Sequence, residues 1–499
     1  MDHKRKQLLS LLAQLVAPTK APADAGVAII GVAGRYPLAD DVGELWANLA
    51  SGRDCIREVP AERWDADAFH DASGRQGCYS KWGGFIDDVD KFDPMFWQIS
   101  PADAAAMDPQ ERLFLETAAA VLDDAGCPAA KLAAAGPVGV FVGAMNSNYE
   151  WMGGEADARG VETEAHSNYW SLANRVSYVF DFRGPSMAVD TACSAASTAI
   201  HLACESIRRN ECVAAIAGGV NLILHPMHMR TLARRGMISR GPKLQAFGAG
   251  ADGFVDGEGV GAVLLKPLAA AVADGDRILA VIRGTAINAG GKTGGYTVPS
   301  SSAQAEVIRA ALARAEVGAE TINYVEAHGT GTPLGDPIEI AGLVAALGPS
   351  RVAGGHVAVG SVKSNVGHLE SAAGIVGLTK VLLQLRHAQL APSLHAAALN
   401  PKLGLDATSF AIQQRLEPWP KLELSGPEGA PHSSPRRAIV SSFGGGGANA
   451  CLVVEEYCGP AQEREQAALA APQLLVLSAK SEYSLRANAG ALARYLSRS

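Results

Sequence analysis

Short apolar runs, each closed by a glycine or a polar turn, alternate along this chain with longer stretches of helical periodicity. Val27-Ala28-Ile29-Ile30-Gly31 is the first run and reads as a buried strand. Runs at Val138 to Val142, Cys212 to Ile216, Val260 to Leu265, Ile278 to Ile282, Ile322 to Val325, Val357 to Gly360 and Ala438 to Ser441 predict further strands. Helical stretches bracket many of them, so the pattern predicts alternating α/β architecture. Two helices stand apart from the rest. Ala195, Ala196 and Ala199 mark one, and Ala372, Ala373, Gly374 and Gly377 mark the other, so each offers small residues where a close neighbour can approach. Both are expected centrally, between sheets, and their likeness suggests a chain of two related halves.

The ends of the chain follow other patterns. Lys4-Arg5-Lys6 before an apolar stretch resembles a secretion signal, but Leu8, Leu11, Leu12 and Leu15 share one helical face, so residues 1–26 read as a helical linker. Pro18 to Gly26 separates it from a globular body spanning 27–457. From 458 to 499 a polar connection leads into Leu474 to Leu477, read as a strand, and a helix capped by Ser481 with Leu485, Ala489 and Leu492 on one face. This segment reads as the start of a flanking α/β adapter.

Composition narrows the function classes. The 499 residues are 48% hydrophobic and can bury a large core, yet no apolar run is long enough to span a bilayer. A net charge of −8 without any long basic run argues against nucleic-acid binding. Eight cysteines without C-x-x-C pairs suit neither a disulfide scaffold nor a zinc site, which points to a reducing cytoplasm and to no metal.

Chemistry concentrates in three places. Cys193 follows the apolar segment Pro185 to Val189 and opens an alanine-rich helix, so a sharp turn is expected to present its sulfur at a helix N-terminus, where amide dipoles favour thiolate. His328 lies in a Gly-Thr-Gly-Thr loop after a strand, and the hydroxyls of Thr330 and Thr332 can meet an extended amide-bearing arm. His368 follows another strand, with Lys363 and Glu370 near enough to orient it. One sulfur nucleophile and two imidazoles can load an acyl group and stabilise an enolate beside it. Gly248 to Gly253 satisfies G-x-G-x-x-G but joins no strand to a helix, so it is not a nucleotide site. Gly444 to Gly447 reads as a backbone turn offering amide donors.

Asp190-Thr191-Ala192-Cys193-Ser194, His328-Gly329-Thr330-Gly331-Thr332 and Lys363-Ser364-Asn365-Val366-Gly367-His368 strongly resemble the ketosynthase (β-ketoacyl synthase) domains of modular type I polyketide synthases. Met107 to Leu113, Gly184 to Met187 and Gly335-Asp336-Pro337-Ile338-Glu339 extend the likeness across about 27–457. The resemblance implies a thiolase fold with two stacked halves in five layers, αβαβα, and a homodimer. It implies that Cys193 accepts the chain from an acyl carrier protein and that His328 and His368 promote decarboxylation of malonyl carrier protein. It further implies an oxyanion hole from the amides of Cys193 and Gly445, support from Lys363 and Glu370, and pantetheine contacts at Thr330 and Thr332. No cofactor is expected beyond the carrier's phosphopantetheine arm, and other polyketide synthase domains are expected partners.

Tyr79 to Phe85, Glu455-Glu456-Tyr457 and Leu474 to Lys480 look like synthases served by a separate, trans-acting acyltransferase. Where many relatives read Ser-Phe-Gly-Phe-Gly-Gly-Thr-Asn-Ala-His, this chain has Gly445 at the bulky gate position, which implies a wider acyl entrance. Ser194-Ala195-Ala196-Ser197 also departs from the usual serine-rich run, which bears on chain specificity. A thiolase shares the fold but suits two histidines less well. Transfer-only relatives often lose the equivalent of His328, retained here, and a scaffold subunit would not need Cys193. A branch-forming synthase remains an open alternative.

Overall fold

The computed structural model describes residues 26–348, 356–425, 431–459 and 474–498. The expected N-terminal helix through Leu8 and Leu15 lies outside the described residues, as does most of the connection after 459. Eleven strands form one mixed sheet. They are β1 (Val27–Arg35), β2 (Val138–Gly143), β3 (Ser186–Val189), β4 (Ala214–Asn221), β5 (Gly259–Pro267), β6 (Ala280–Ala289), β7 (Tyr324–Glu326), β8 (Val357–Gly360), β9 (Phe410–Ile412), β10 (Arg437–Phe443) and β11 (Ala448–Glu455).

The sheet is one pattern used twice. In the first half β1 pairs antiparallel with β5 and β5 with β4, then β4 runs parallel to β2 and β2 to β3. In the second, β6 pairs antiparallel with β11 and β11 with β10, then β10 runs parallel to β7 and β7 to β8. Strand β9 adds an edge beside β8, and β1 joins β6 over only three residue pairs, Val27 to Ile29 against Ala280 to Ile282. The expected two related halves are therefore present as topology, without a sequence repeat.

Helix α3 (Ala195–Arg208) follows β3, and helix α7 (Ala373–His387) follows β8 at the equivalent place. Both pack against strands of both halves and against each other. Outside the first half lie α1 (Pro109–Asp124) and α2 (Tyr169–Phe180); outside the second lie α5 (Ser301–Ala315) and α6 (Gly335–Leu347). The layers run αβαβα, a thiolase-like arrangement. Strand β1 shows how the period-2 alternation of a strand builds this: Val27 and Ile29 enter the central core, while Ala28 and Ile30 enter the outer core under α1.

The small residues predicted on the two central helices are needed where those helices touch. A Cβ placed on Gly374 would stand 2.2 Å from Ser197 Oγ and 2.8 Å from its backbone nitrogen. Ser197 Oγ is itself tied to Ser442 Oγ at 2.8 Å, so it has no free direction in which to yield. One sequence expectation fails. Leu474 to Leu477 is not a strand: Leu474 is 89% and Val476 80% exposed, with no ladder partner among the described residues, and apolar residues alone do not make a strand without one. The helix beyond it, α8 (Glu482–Arg498), does form, and Ser481 Oγ accepts from the Ser484 amide at 3.1 Å.

Gly374→Ala should gain at most about 1 kcal/mol in helix propensity and lose about 1–3 kcal/mol to overpacking. The expected result is a lower thermal midpoint together with reduced Cys193 acylation, because the contact sets the spacing of both central helices; an unchanged midpoint by calorimetry would contradict the close approach.

Candidate active site

Equivalent loops of the two halves bring the chemistry together. Cys193 stands between β3 and α3, just before the helix, and Ala192 takes a left-handed φ of 53° to turn the chain. For a non-glycine residue that conformation costs about 1–2 kcal/mol, and it is held by bonds from Ala192 N to Asp190 Oδ1 (2.9 Å) and from Ser194 Oγ to Thr191 O (2.8 Å). The expected sharp turn at a helix N-terminus is present. Its expected consequence is not. Burial pushes the Cys193 thiol up to about 11 and the Glu370 carboxylate adds to the rise, while the Gly445 amide, the Lys363 cation and its own amide oppose it without prevailing. Amide dipoles favour thiolate here, but desolvation outweighs them.

The glycine turn 444–447 joins β10 to β11 and closes over this elbow. A Cβ on Gly444 would meet Thr191 O at 2.4 Å, so only glycine lets the turn come so near. The amides of Gly445 and Cys193 oppose the rise of the Cys193 thiol. At Gly445 itself a Cβ would meet nothing within 4 Å, and its φ is not left-handed, so the position faces open space.

His328 follows β7, and Glu339 of α6 holds its loop with both oxygens, accepting from His328 N and Gly329 N at 2.7 Å each. Asp336 accepts from Gly331 N (3.2 Å) and Phe247 N (2.6 Å), and the Gly253 amide donates to Gly331 O, so the rejected glycine cluster is a buttress of this loop. Thr330 and Thr332 are half-buried beside it, with Thr332 Oγ1 accepting from Gly335 N at 3.1 Å. His368 follows β8 and is held between Val255 and Gly257, its amide donating to Val255 O and its carbonyl accepting from Gly257 N.

The two rings are perpendicular, with centroids 5.4 Å apart. Each has Nδ1 occupied as an acceptor: His328 from Phe443 N at 3.4 Å, His368 from Glu370 N at 3.1 Å. This assigns the proton of each neutral ring to Nε2, leaving both as donors. Burial, the Lys363 charge and the neighbouring His368 hold His328 well below its usual range. Burial and Lys363 bring His368 to about 3 despite Glu370. Both shifts favour the neutral imidazole. Lys363 is itself buried, which lowers its pKa, while the carboxylates of Glu326, Glu339 and Asp336 oppose the fall.

Cys193 and His328 are thus both served by one strand end, since Phe443 N donates to His328 Nδ1 and the amide of Gly445, two residues on, lowers the Cys193 thiol, whereas His368 is held by Val255, Gly257 and Glu370. Sequence reading missed several positioning groups. Glu339 lay inside a quoted motif and Glu326 two residues before one, and both were findable there as buried carboxylates; Glu326 accepts from Val362 N at 2.6 Å and forms an ion pair with Lys380 Nζ at 2.9 Å. Asn146, whose Nδ2 donates to Glu370 Oε2 at 2.6 Å, and His228 and Asp256, which lie against Glu370, carried no sequence signal.

Fold and site together give a thiolase-like architecture in which a cysteine at a helix start and two perpendicular imidazoles are carried on equivalent loops. Residues 24–271 match the beta-ketoacyl synthase N-terminal domain and residues 279–397 its C-terminal domain. The chain belongs to the β-ketoacyl synthase family, among the ketosynthases of polyketide synthases, and is an acyl-transferring enzyme. Polyketide synthase PksM of Bacillus subtilis (strain 168) is 50% identical over 488 residues, 97% of this chain and 11% of that protein. Polyketide synthase ThaG of Burkholderia thailandensis is 52% identical over 486 residues, 95% of this chain and 8% of that protein. The chain thus spans about a tenth of the length of these relatives. The oxazolomycin ketosynthase domain OzmH KS7 of Streptomyces albus JA3453 superimposes with a TM-score of 0.87 at 48% identity, covering 93% of this chain and 79% of that one. The ketosynthase from module 6 of the bacillaene synthase of Bacillus subtilis 168 gives 0.83 at 37% identity, covering 95% and 77%.

Thiolate fraction falls about tenfold per pH unit below a thiol's pKa. Alkylation of Cys193 in the free enzyme, followed by mass spectrometry, should therefore keep rising by roughly that factor from neutral pH to above about pH 9. Lys363→Met removes an opposing cation and should slow alkylation further at fixed pH; a plateau near neutrality would show that desolvation does not dominate.

Proposed function

We propose that this ketosynthase extends a polyketide chain by decarboxylative Claisen condensation with malonyl-acyl carrier protein. The observation that carries the reading is the pair of neutral imidazoles, each with its backbone-bonded Nδ1 leaving Nε2–H to donate, beside a cysteine under two amides. In the first step the Cys193 sulfur attacks the carrier's thioester, the amides of Cys193 and Gly445 receive the oxyanion, and the thiol proton leaves on the carrier's pantetheine sulfur. In the second, the malonyl carboxylate departs as CO2, and Nε2–H of His328 and His368 hydrogen-bonds the thioester oxygen as it becomes an enolate. The enolate carbon attacks the acyl-Cys193 carbonyl, the C–S bond breaks, and the thiolate takes up one proton.

No cofactor enters these steps. The pantetheine arm lies along Thr330 and Thr332, whose hydroxyls bond its amides. Tyr79 to Phe85, Glu455 to Tyr457 and Leu474 to Lys480 support a supply of malonyl carrier protein by a separate acyltransferase. Gly445 faces open space where an aromatic side chain would stand, which supports a branched, cyclic or otherwise wide acyl chain. A homodimer accounts for the free edge at β3: Met187 there is 39% exposed, and α2 beside it presents Trp170 at 61% and Tyr178 at 83%.

Acyl carrier protein should add its acyl mass to Cys193, and malonyl carrier protein charged by a free-standing acyltransferase should then yield the elongated product. Loading without elongation would favour a transfer-only enzyme. Gly445→Phe should reduce acylation by wide chains about tenfold more than by linear ones, and an equal loss for both would refute the gate. Light scattering should give twice the chain mass for the native protein and the single mass for Met187→Glu combined with Tyr178→Glu; a monomeric native chain would rule out the dimer.

A further inference from the structure

Beside His368, three side chains that no linear motif connects meet in the interior. His228 comes from helix α4 (Pro226–Arg234), Asp256 from the segment entering β5, and Glu370 from the turn after His368. They are 7%, 1% and 3% exposed. One nitrogen or oxygen of each lies within 4.8 Å of the other two. His228 Nε2 is 3.0 Å from Asp256 Oδ2 and 3.2 Å from Glu370 Oε2.

At those distances an aligned N–H would make a strong hydrogen bond, yet His228 Nε2 and Asp256 Oδ2 are buried without one. The oxygens lie off the direction in which the ring nitrogen donates. Ligands bound about 2.0–2.2 Å from a shared ion stand about 3.0–3.5 Å apart on adjacent corners of its coordination shell, and the two measured separations fall in that interval. Around the three, the outer contacts of a metal site are in place. Asp256 Oδ1 accepts from Gly257 N at 2.9 Å, and Glu370 Oε2 accepts from Asn146 Nδ2 at 2.6 Å. Asn146 also bonds Asn221 Oδ1 at 2.8 Å, and Asn221 in turn bonds Gly257 O at 2.7 Å.

Among the described residues no lysine or arginine forms an ion pair with either carboxylate, so without an ion the two acids raise the His228 imidazole well above its usual range and an ion would have to displace that proton.

We propose that His228, Asp256 and Glu370 bind one divalent cation of the nitrogen- and oxygen-preferring kind, zinc or manganese. One imidazole with two carboxylates is a donor set suited to both ions. The ion replaces any proton on Nε2 and is a positioning element: it clamps Glu370, whose amide orients His368 and whose φ of 39° is left-handed. The inference stands on these three residues and does not depend on which acyl chemistry the site performs.

Mn2+ is the first probe, because thiols compete poorly for it. The full chain, stripped with a chelator and dialysed, is titrated with Mn2+ while the free-ion paramagnetic resonance signal is followed. One ion should bind per chain, Zn2+ should displace it, and pulsed resonance should show one imidazole nitrogen coupled to the bound ion. Asp256→Asn and His228→Gln should each weaken binding by at least about tenfold, whereas Asp252→Asn, an exposed acid nearby, should not; circular dichroism reports whether each variant is folded. Absence of binding to the native chain, or bound Mn2+ without nitrogen coupling, would overturn the proposal in favour of a protonated histidine between two carboxylates. The nitrogen signal comes from the native protein, so a misfolded variant leaves the test intact.

Discussion

The near-contact of two helix beginnings at the centre of the molecule is the constraint on which the rest depends. Gly374 at the start of α7 lies so close to Ser197 of α3 that no Cβ fits between them. Each helix follows the equivalent strand of its half, so bringing the helices together also brings together the loops that precede them. Cys193 is carried by one such loop and His368 by the other. A side chain at the contact would separate the two halves of the chemistry as well as the two halves of the core.

Once assembled, the site is governed by desolvation. The same burial that raises the Cys193 thiol lowers His328 and His368, so all three groups are pushed toward their neutral forms. Lys363 supplies the local positive charge, and the carboxylates of Glu326, Glu339 and Asp336 oppose the fall of its pKa. Neutral imidazoles with Nδ1 occupied can give a hydrogen bond to a developing oxyanion without first losing a proton. Preorganised donors of this kind need no reorganisation when charge appears.

Much of the fold was legible because a strand buried on both faces must be apolar throughout. The run at 357–360 was located to the residue, and the run at 138–142 to within one. Edge and transitional strands were not: Ser186–Val189 looked only like an apolar approach to Cys193, since an exposed edge needs no continuous apolar code. Leu474 to Leu477 erred the other way, carrying the composition of a strand without a partner to pair with. At the site, Cys193, His328, His368, Lys363 and Glu370 were visible through local spacing. His228, Asp256 and Asn146 were not, because they reach Glu370 from three distant segments.

By itself the sequence determined most of the doubly buried strands, the glycine turns and the small residues that permit close approach, and it singled out the sulfur and both imidazoles as candidates. These depend on neighbours within a few positions, which local chemistry encodes directly. Only the tertiary structure decided protonation: whether a thiol at a helix N-terminus ionises depends on how completely water is removed and which distant charges replace it. It also decided the donor set around Glu370, because convergence of side chains more than a hundred residues apart is a property of the packed layers and leaves no trace in linear spacing.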